Sequence, residues 1–360
     1  MGVRFRRSIK IAPGIKLNVT KTGLGLTAGV RGAHYSVHSS GRRTVSVGVP
    51  GTGLYAQSVS GRKSPVTPRS NTTRRADSDR STPAPAYVSG AQAAAILPKA
   101  GLFASASEKK YREGLVHYLT GNKAAAASAM EAVLAMDPRA GSAHLIAAVS
   151  IEDDAEAPRI TDHLEALISS QAKFPDKYMA KFLSAAQSNL YLEVKITELI
   201  HARVPFDTSG ATLLLAEAYQ FQARLEDAIG IIQQLHDASP SDPAIRLSLA
   251  DLLLADGDFE GVVEVTRGAA NVDDLNLALI HMRAAALTAL GHQTAAFEAF
   301  KDALSKTAKR DGALLNAIRY DRALAYETSG QRARAKADFE RIFAVDSSYQ
   351  DVRERLAALA

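Results

Sequence analysis

From residue 15 the chain alternates apolar and polar positions with a period of two. Ile15, Leu17 and Val19 fall on one side of an extended backbone, and Lys16, Asn18 and Thr20 on the other. The alternation continues through Leu24, Leu26, Ala28 and Val30, then Ala33, Tyr35 and Val37, then Val45, Val47 and Val49. Such runs predict half-buried strands. Thr22-Gly23, Arg31-Gly32 and Ser40-Gly41 interrupt them, and these short Gly-containing breaks suit tight hairpins. Residues 1–57 therefore read as an antiparallel meander of four or five strands. The other face carries small residues, Gly25, Thr27, Gly29, His34, Ser36, His38, Thr44, Ser46 and Gly48. A single sheet of this size buries too little apolar area to be robust alone. It needs cover from a copy of itself, from the rest of the chain or from a partner.

The pattern stops after residue 57. Residues 58–90 are rich in Ser, Thr, Pro and Arg and lack apolar periodicity. That composition does not offset ordering entropy. We expect a disordered linker over 58–106, with a possible short helix in 91–106 broken at Pro98.

Beyond residue 107 the apolar pattern turns helical and repeats every 34 residues. Leu215, Ala216, Tyr219, Ala228 and Pro240 mark one unit, and Leu249, Ala250, Leu253, Gly257, Val262 and Ala269 the next. Ala284, Leu287, Gly291, Ala296, Phe300 and Ala303 follow in register. After five extra residues around Lys309–Gly312 come Ala323, Tyr326, Gly330, Ala335, Phe339 and Ile342. Upstream, Gly114, Gly121, Ala126, Met130 and Pro138 fit the same template. Between unit starts near 107 and 209 there is room for three periods, so two weaker repeats are expected across 141–208. The array over 107–360 then has about seven helix pairs, closed by a capping helix in the last twelve residues.

Two resemblances follow from these residues. MGVRFRRSIKIAPGIKLNVTKTG, RGAHYSV and GVPGTGLY resemble the bacterial domain of unknown function 4236, which implies an N-terminal β module and supplies no activity. The small residue at the eighth position of each unit, Tyr at the eleventh, Gly at the turn, Ala at the twentieth and Phe at the twenty-fourth resemble the tetratricopeptide repeat (TPR). The fold class expected is a small antiparallel β module plus an all-α TPR-like solenoid, joined by a disordered linker.

Charge changes the picture. The first 76 residues hold 14 Lys and Arg and no carboxylate, so all 38 Asp and Glu lie behind them with the remaining 29 cations. Such a split points to an anionic partner for the front or to attraction between the halves. Arg4, Arg6, Arg7, Lys10, Arg42 and Arg43 form a candidate anionic-ligand patch. The TPR resemblance implies a concave surface lined by the first helix of each pair. Its lining positions here include Glu217, Gln220, Asp251, His281, Tyr320, Asp321 and Glu327. The Lys, Asn and Arg clamp of the chaperone-binding subclass is absent, and the lining is mildly acidic. The partner expected is a protein or a basic peptide, including this chain's own front segment. The alternative is a nucleic-acid or anionic-membrane-surface binder acting through the basic module, with the repeats recruiting a partner.

Catalysis is not expected. There are no cysteines, which excludes disulfides and thiolate chemistry. H-E-x-x-H, nucleophile-elbow and P-loop patterns are missing, and Gly23, Gly25 and Gly29 fail the dinucleotide spacing. No metal or cofactor is expected: His34 and His38 lack a nearby carboxylate, and Asp256-Gly-Asp258, Asp153-Asp154 and Asp273-Asp274 fall near repeat turns. No run reaches the roughly 18 to 20 apolar residues of a membrane span. The N-terminus lacks the apolar segment of a secretory signal, and Arg6 breaks the myristoylation pattern. We expect a cytoplasmic protein.

Overall fold

The computed structural model describes backbone strands between residues 6 and 60, and most of residues 90–359 with side chains. Of the disordered linker expected over 58–106, residues 61–89 lie outside the described residues, as do 154–155, 171–172 and 184–190.

The front segment has six strands, against the four or five expected: β1 Arg6–Ala12, β2 Ile15–Thr20, β3 Gly23–Val30, β4 Ala33–His38, β5 Arg43–Gly48 and β6 Tyr55–Ser60. They pair in sequence order, each antiparallel to the next. The register follows the alternation. Leu17 stands opposite Leu26, Leu26 opposite Val37, and Tyr35 opposite both Ala28 and Val45. The strands that the alternation does not announce are the outer ones, β1 and β6. In β1 Arg7 stands in the row of Val19, so a cation interrupts the apolar row that would have signalled a strand. In β6 Ser58 interrupts it opposite Val45, and the strand runs three residues past the expected boundary at 57.

Fifteen helices follow among the described residues. In the first part these are α1 Gly90–Ile96, α2 Ala106–Thr120, α3 Lys123–Met136, α4 Gly141–Ser150, α5 Ala157–Ser169 and α6 Lys177–Phe182. A hairpin, β7 Tyr191–Lys195 and β8 His201–Pro205, comes next. Then come α7 Thr208–Phe221, α8 Leu225–Ala238, α9 Pro243–Asp256, α10 Phe259–Val265, α11 Asp274–Ala289, α12 Gln293–Ala303, α13 Gly312–Thr328, α14 Arg332–Val345 and α15 Val352–Ala358. They fall in two compact units. One runs up to Val194 and includes Arg203–Ala218; the other comprises Lys195–Ala202 and the chain from Tyr219.

The same three positions build the core of each helix pair. A small residue on the first helix (Gly114, Ala148, Ala250, Ala284, Ala323) recurs in register with buried residues on the second helix. These are Ala126 with Met130, Ile160 with Leu164, Val262 with Thr266, Ala296 with Phe300, and Ala335 with Phe339. Smallness is required where the helices cross. A Cβ added at Gly114 would lie 2.8 Å from Met130 Cε and 3.1 Å from Ala129 Cβ.

The turns between paired helices repeat atom for atom. Gly121, Gly257, Gly291 and Gly330 all have φ between 77° and 85°, the left-handed region that favours Gly. In each, the following residue donates its N–H back across the turn: Asn122 to His117 O, Asp258 to Leu253 O, His292 to Leu287 O and Gln331 to Tyr326 O, all at 2.8–3.0 Å. The turn after α7 has the same bond, Arg224 N–H to Tyr219 O at 2.9 Å. There, one period before Gly257, stands Ala223 at φ 58°. A side chain in this conformation costs about 1 kcal/mol. Ala223→Gly is therefore expected to stabilise the chain by roughly 0.5–1 kcal/mol, and Gly257→Ala to destabilise it by about as much, in denaturant unfolding. No gain from Ala223→Gly would show that the strain is relieved elsewhere.

The weak stretch departs from expectation. Of the two helix pairs expected across 141–208, only α4–α5 is present among the described residues, in register through Ala148, Ile160 and Leu164. α6 starts a third pair, capped by Asp176. Where its second helix would stand, the chain forms β7 and β8. The reason is local. Leu192, Val194 and Ile196, then Ala202, Val204 and Phe206, are buried at alternate positions, which is a period of two and not 3.6. Pro205 also forbids an interior helical position.

Candidate partner-binding face

Three of the carboxylates at the repeat turns cap helices. Asp258 accepts from Gly261 N–H at 2.9 Å, Asp273 from Asn276 N–H at 2.8 Å, and Asp242 from Ala244 N–H at 2.8 Å. Each satisfies a helix N-terminus that has no partner within the helix. Among the described residues no three His, Cys, Asp or Glu side chains are placed to hold a metal.

Six of the seven residues predicted to line the first-helix face fall into three pairs. Tyr320 and Glu327 serve the C-terminal cap. Tyr320 is buried with Phe339, Ile342 and Val352, and its hydroxyl donates to Asp351 Oδ1 at 2.6 Å. Arg355 on α15 binds Asp351 at 2.9 Å and Glu327 at 2.5 Å and lies over the rings of Tyr320 and Phe339. The bond to Asp351 leads among the causes that raise the Arg355 pKa. These residues hold α15 in place.

His281 and Asp321 form the second group. They join α11 to α13 through His281 Nε2 and Asp321 Oδ2 at 2.6 Å, with Asp321 partly exposed. The third group is Gln220 and Asp251. Gln220 Nε2 reaches Asp251 Oδ2 at 3.5 Å, the outer limit of a hydrogen bond. Burial pushes the Asp251 carboxyl up to about 6 against its ordinary 3.8, and the nearby Glu198 charge acts in the same direction. Lys195 is close enough to oppose this, but it is bound to Glu198 at 2.5 Å. Asp251 is thus a desolvated carboxyl without a salt bridge among the described residues. Glu217, on α7 in the first unit, is half-buried.

The basic patch lies on residues whose side chains are outside the described part. Its backbone places Arg6, Arg7 and Lys10 on β1 and Arg43 on β5; Arg4 and Arg42 lie outside the described residues. The β1–β2 register separates the patch: Arg6 and Lys10 stand opposite Thr20 and Lys16, whereas Arg7 stands opposite Val19.

Two polar clusters were missed from sequence. His144 and His163 meet Nδ1 to Nδ1 at 3.3 Å beside Glu131 and Arg159, and burial lowers both imidazole pKa values. Arg319, Arg322, Asp338 and Arg341 gather between α13 and α14. The signal for the second cluster was legible: Arg322 and Asp338 stand where the repeat two periods earlier has Leu249 and Val265.

Residues 3–57 match the family model of a protein of unknown function, DUF4236. The DUF4236 match covers the strand-forming front segment and not the chain as a whole. None of the curated proteins matches the chain. Among solved structures, the N-terminal domain of the EccA1 ATPase from the ESX-1 secretion system of Mycobacterium tuberculosis is 16% identical with a TM-score of 0.51. The likeness covers 71% of this chain and 89% of that one. Pseudomonas aeruginosa pilF is 12% identical at TM-score 0.45, over 70% of this chain and 97% of its own. A tetratricopeptide repeat protein from Parabacteroides merdae is 11% identical at TM-score 0.33, over 71% and 98%. At 16% identity the likeness to the EccA1 domain is one of fold. The chain carries a DUF4236 segment followed by TPR-like helix pairs. No described helix is long and apolar enough to cross a membrane.

Proposed function

We propose that the helical repeats are a non-catalytic protein-interaction scaffold whose first-helix face takes a basic peptide segment. Repeat arrays of this type present extended surfaces that partners use. The observation that carries the reading is Asp251. It is a partly buried carboxyl with no salt bridge among the described residues, its nearby cation Lys195 being bound to Glu198, and a Lys or Arg from a ligand would offset the cost of its burial. The segment whose charge suits it best is residues 1–90 of the same chain, with 14 cations before the first carboxylate. The alternative, that the front segment binds nucleic acid or an anionic membrane surface while the repeats recruit a partner, rests on that same charge.

Asp251→Asn separates a binding role from a structural one. The folded carboxyl titrates near 6 and the ordinary one at 3.8. The folded state thus binds the proton more tightly, and this site's contribution to stability falls as pH rises from about 4 to 6 and stays low above. Asn removes that cost, so Tm at pH 7 is expected to rise by roughly 2 °C. Binding of a peptide of residues 61–89 to the 90–360 fragment is expected at low salt, weakening with added salt and below pH 6. Asp251→Asn weakens it about tenfold. Absence of binding at low salt overturns the docking of the front segment. Equal affinity of the Asn variant removes Asp251 from the site. Retention of nucleic acid or anionic vesicles by the full chain, lost on deleting residues 1–60, favours the alternative.

A further inference from the structure

The last helix pair holds charge that a basic-peptide face does not use. Asp338 on α14 is 1% exposed and accepts from Arg322 Nε at 2.8 Å and Nη2 at 2.7 Å. Arg341, one turn further along α14, donates to the same carboxylate at 3.0 Å. One buried anion is thereby shared by two guanidiniums. Arg319, one turn before Arg322 on α13, is a third cation. Its Nη1 donates to Asn316 Oδ1 at 3.3 Å, a neutral acceptor on a buried residue.

Two guanidiniums share one carboxylate, and the third, one turn away on α13, has only a neutral partner, which leaves the cluster short of negative charge. Desolvation lowers the Arg319 pKa, and the charges of Arg341 and Arg322 add to the effect against the opposing pull of Asp338. The cluster is also accessible. The Arg341 side chain is 62% exposed, whereas Arg322 is 15% exposed and fixed by its two bonds, and Arg319 is half-buried. Arg322 and Asp338 form the floor, and Arg319 and Arg341 have donors to spare. A guanidinium has five N–H donors in a planar fork that matches oxygen anions.

We propose that Arg319 and Arg341, braced by Asp338 and Asn316, bind an oxyanion: a carboxylate or phosphoryl group presented by a ligand. An arriving oxyanion meets two charge-assisted donors, each already anchored by one hydrogen bond, Arg319 to Asn316 and Arg341 to Asp338. It also supplies the negative charge that Arg319 lacks. This site has the opposite sign to Asp251 and does not depend on the basic-peptide reading.

The test uses the full chain and thermal unfolding at constant ionic strength, with inorganic phosphate in one series, glutamate in a second and chloride in a third. Wild type, Arg319→Gln and the control Arg267→Gln are compared in the same salts, because excluded anions stabilise any folded protein in general. At about ten times the dissociation constant, phosphate or glutamate is expected to raise the wild-type Tm roughly 3–5 °C above Arg319→Gln's own response. Arg267→Gln responds like wild type, since Arg267 lies at the surface paired with Glu264. In chloride, Arg319→Gln unfolds at the wild-type temperature or above it, because a desolvated, repelled cation has been removed. A response to phosphate alone identifies a phosphoryl ligand, and to glutamate alone a carboxylate. The proposal is overturned if Arg319→Gln and wild type respond equally. It is also overturned if Arg319→Gln lowers Tm in chloride while leaving the anion response intact, which is the mark of a purely structural arginine.

Discussion

Gly210→Ala destabilises the chain by about 3 kcal/mol or more and lowers the unfolding midpoint by roughly 10 °C. Gly210 lies in the first turn of α7, where Asp207 Oδ1 accepts its N–H at 3.1 Å. A methyl group there would stand 2.0 Å from Pro205 O, 2.9 Å from Leu192 Cδ1 and 3.2 Å from Val204 Cγ2. The two side chains belong to buried residues of β7 and β8 and have little room to yield, and the oxygen is backbone. To admit the methyl, the hairpin must move off α7 and expose Leu192 and Val204. The comparison is Gly230→Ala in α8, where an added Cβ meets nothing within 4 Å. That change is expected to stabilise by about 0.5–1 kcal/mol through helix propensity. Equal behaviour of the two variants in denaturant unfolding would mean that the hairpin does not pack this closely on α7.

Gly210 also shows where the sequence stopped being readable. The glycines at 121, 257, 291 and 330 announced the repeat because their role is local: a turn needing positive φ admits few residues, and the need recurs at each period. Ala148, Ile160 and Leu164 keep the register without such a marker at the turn, so α4–α5 was expected but its boundaries were not. The hairpin after α6 was hidden for another reason. Its alternation is clear along β7 and β8, yet the helical period on both sides made a helix the simpler extrapolation. That Gly210 must be Gly depends on a backbone oxygen brought to it by folding.

The same boundary runs through the candidate face. Sequence placed Tyr320, Asp321 and Glu327 on one helix, and they are on one helix. Which of them bind protein and which remain available was decided by partners 28 to 40 residues away: Asp351 for Tyr320, Arg355 for Glu327, and His281 for Asp321. Asp251 differs because Lys195, the cation that could neutralise it, is held by Glu198. Spacing along one chain does not report such competition.

Asp338→Ala is expected to cost about 3 kcal/mol, within the range for breaking a buried ion pair. The loss arises less from the missing attraction than from what stays behind. Arg322 is 15% exposed, and without its carboxylate it keeps a charge and several donors in a site closed to most water. Arg319 and Arg341 then face Arg322 with no anion among them, so like-charge repulsion adds to desolvation. The repeats themselves provide the rescue. Two periods earlier the corresponding positions are Leu249 and Val265, with Leu249 fully buried. Converting the pair together, Arg322→Leu with Asp338→Val, places the apolar residues of that earlier repeat at both positions and removes both buried charges. Replacing a buried ion pair by well-packed apolar residues is often neutral or stabilising. The double variant is therefore expected within about 1 kcal/mol of wild type, against a loss of about 3 for Asp338→Ala alone. Urea unfolding of the two variants measures this directly. A double variant as unstable as Asp338→Ala would mean that Asp338 acts mainly through Arg341 and Arg319. In that case the charge cluster, and not the apolar repeat, holds the last helix pair together.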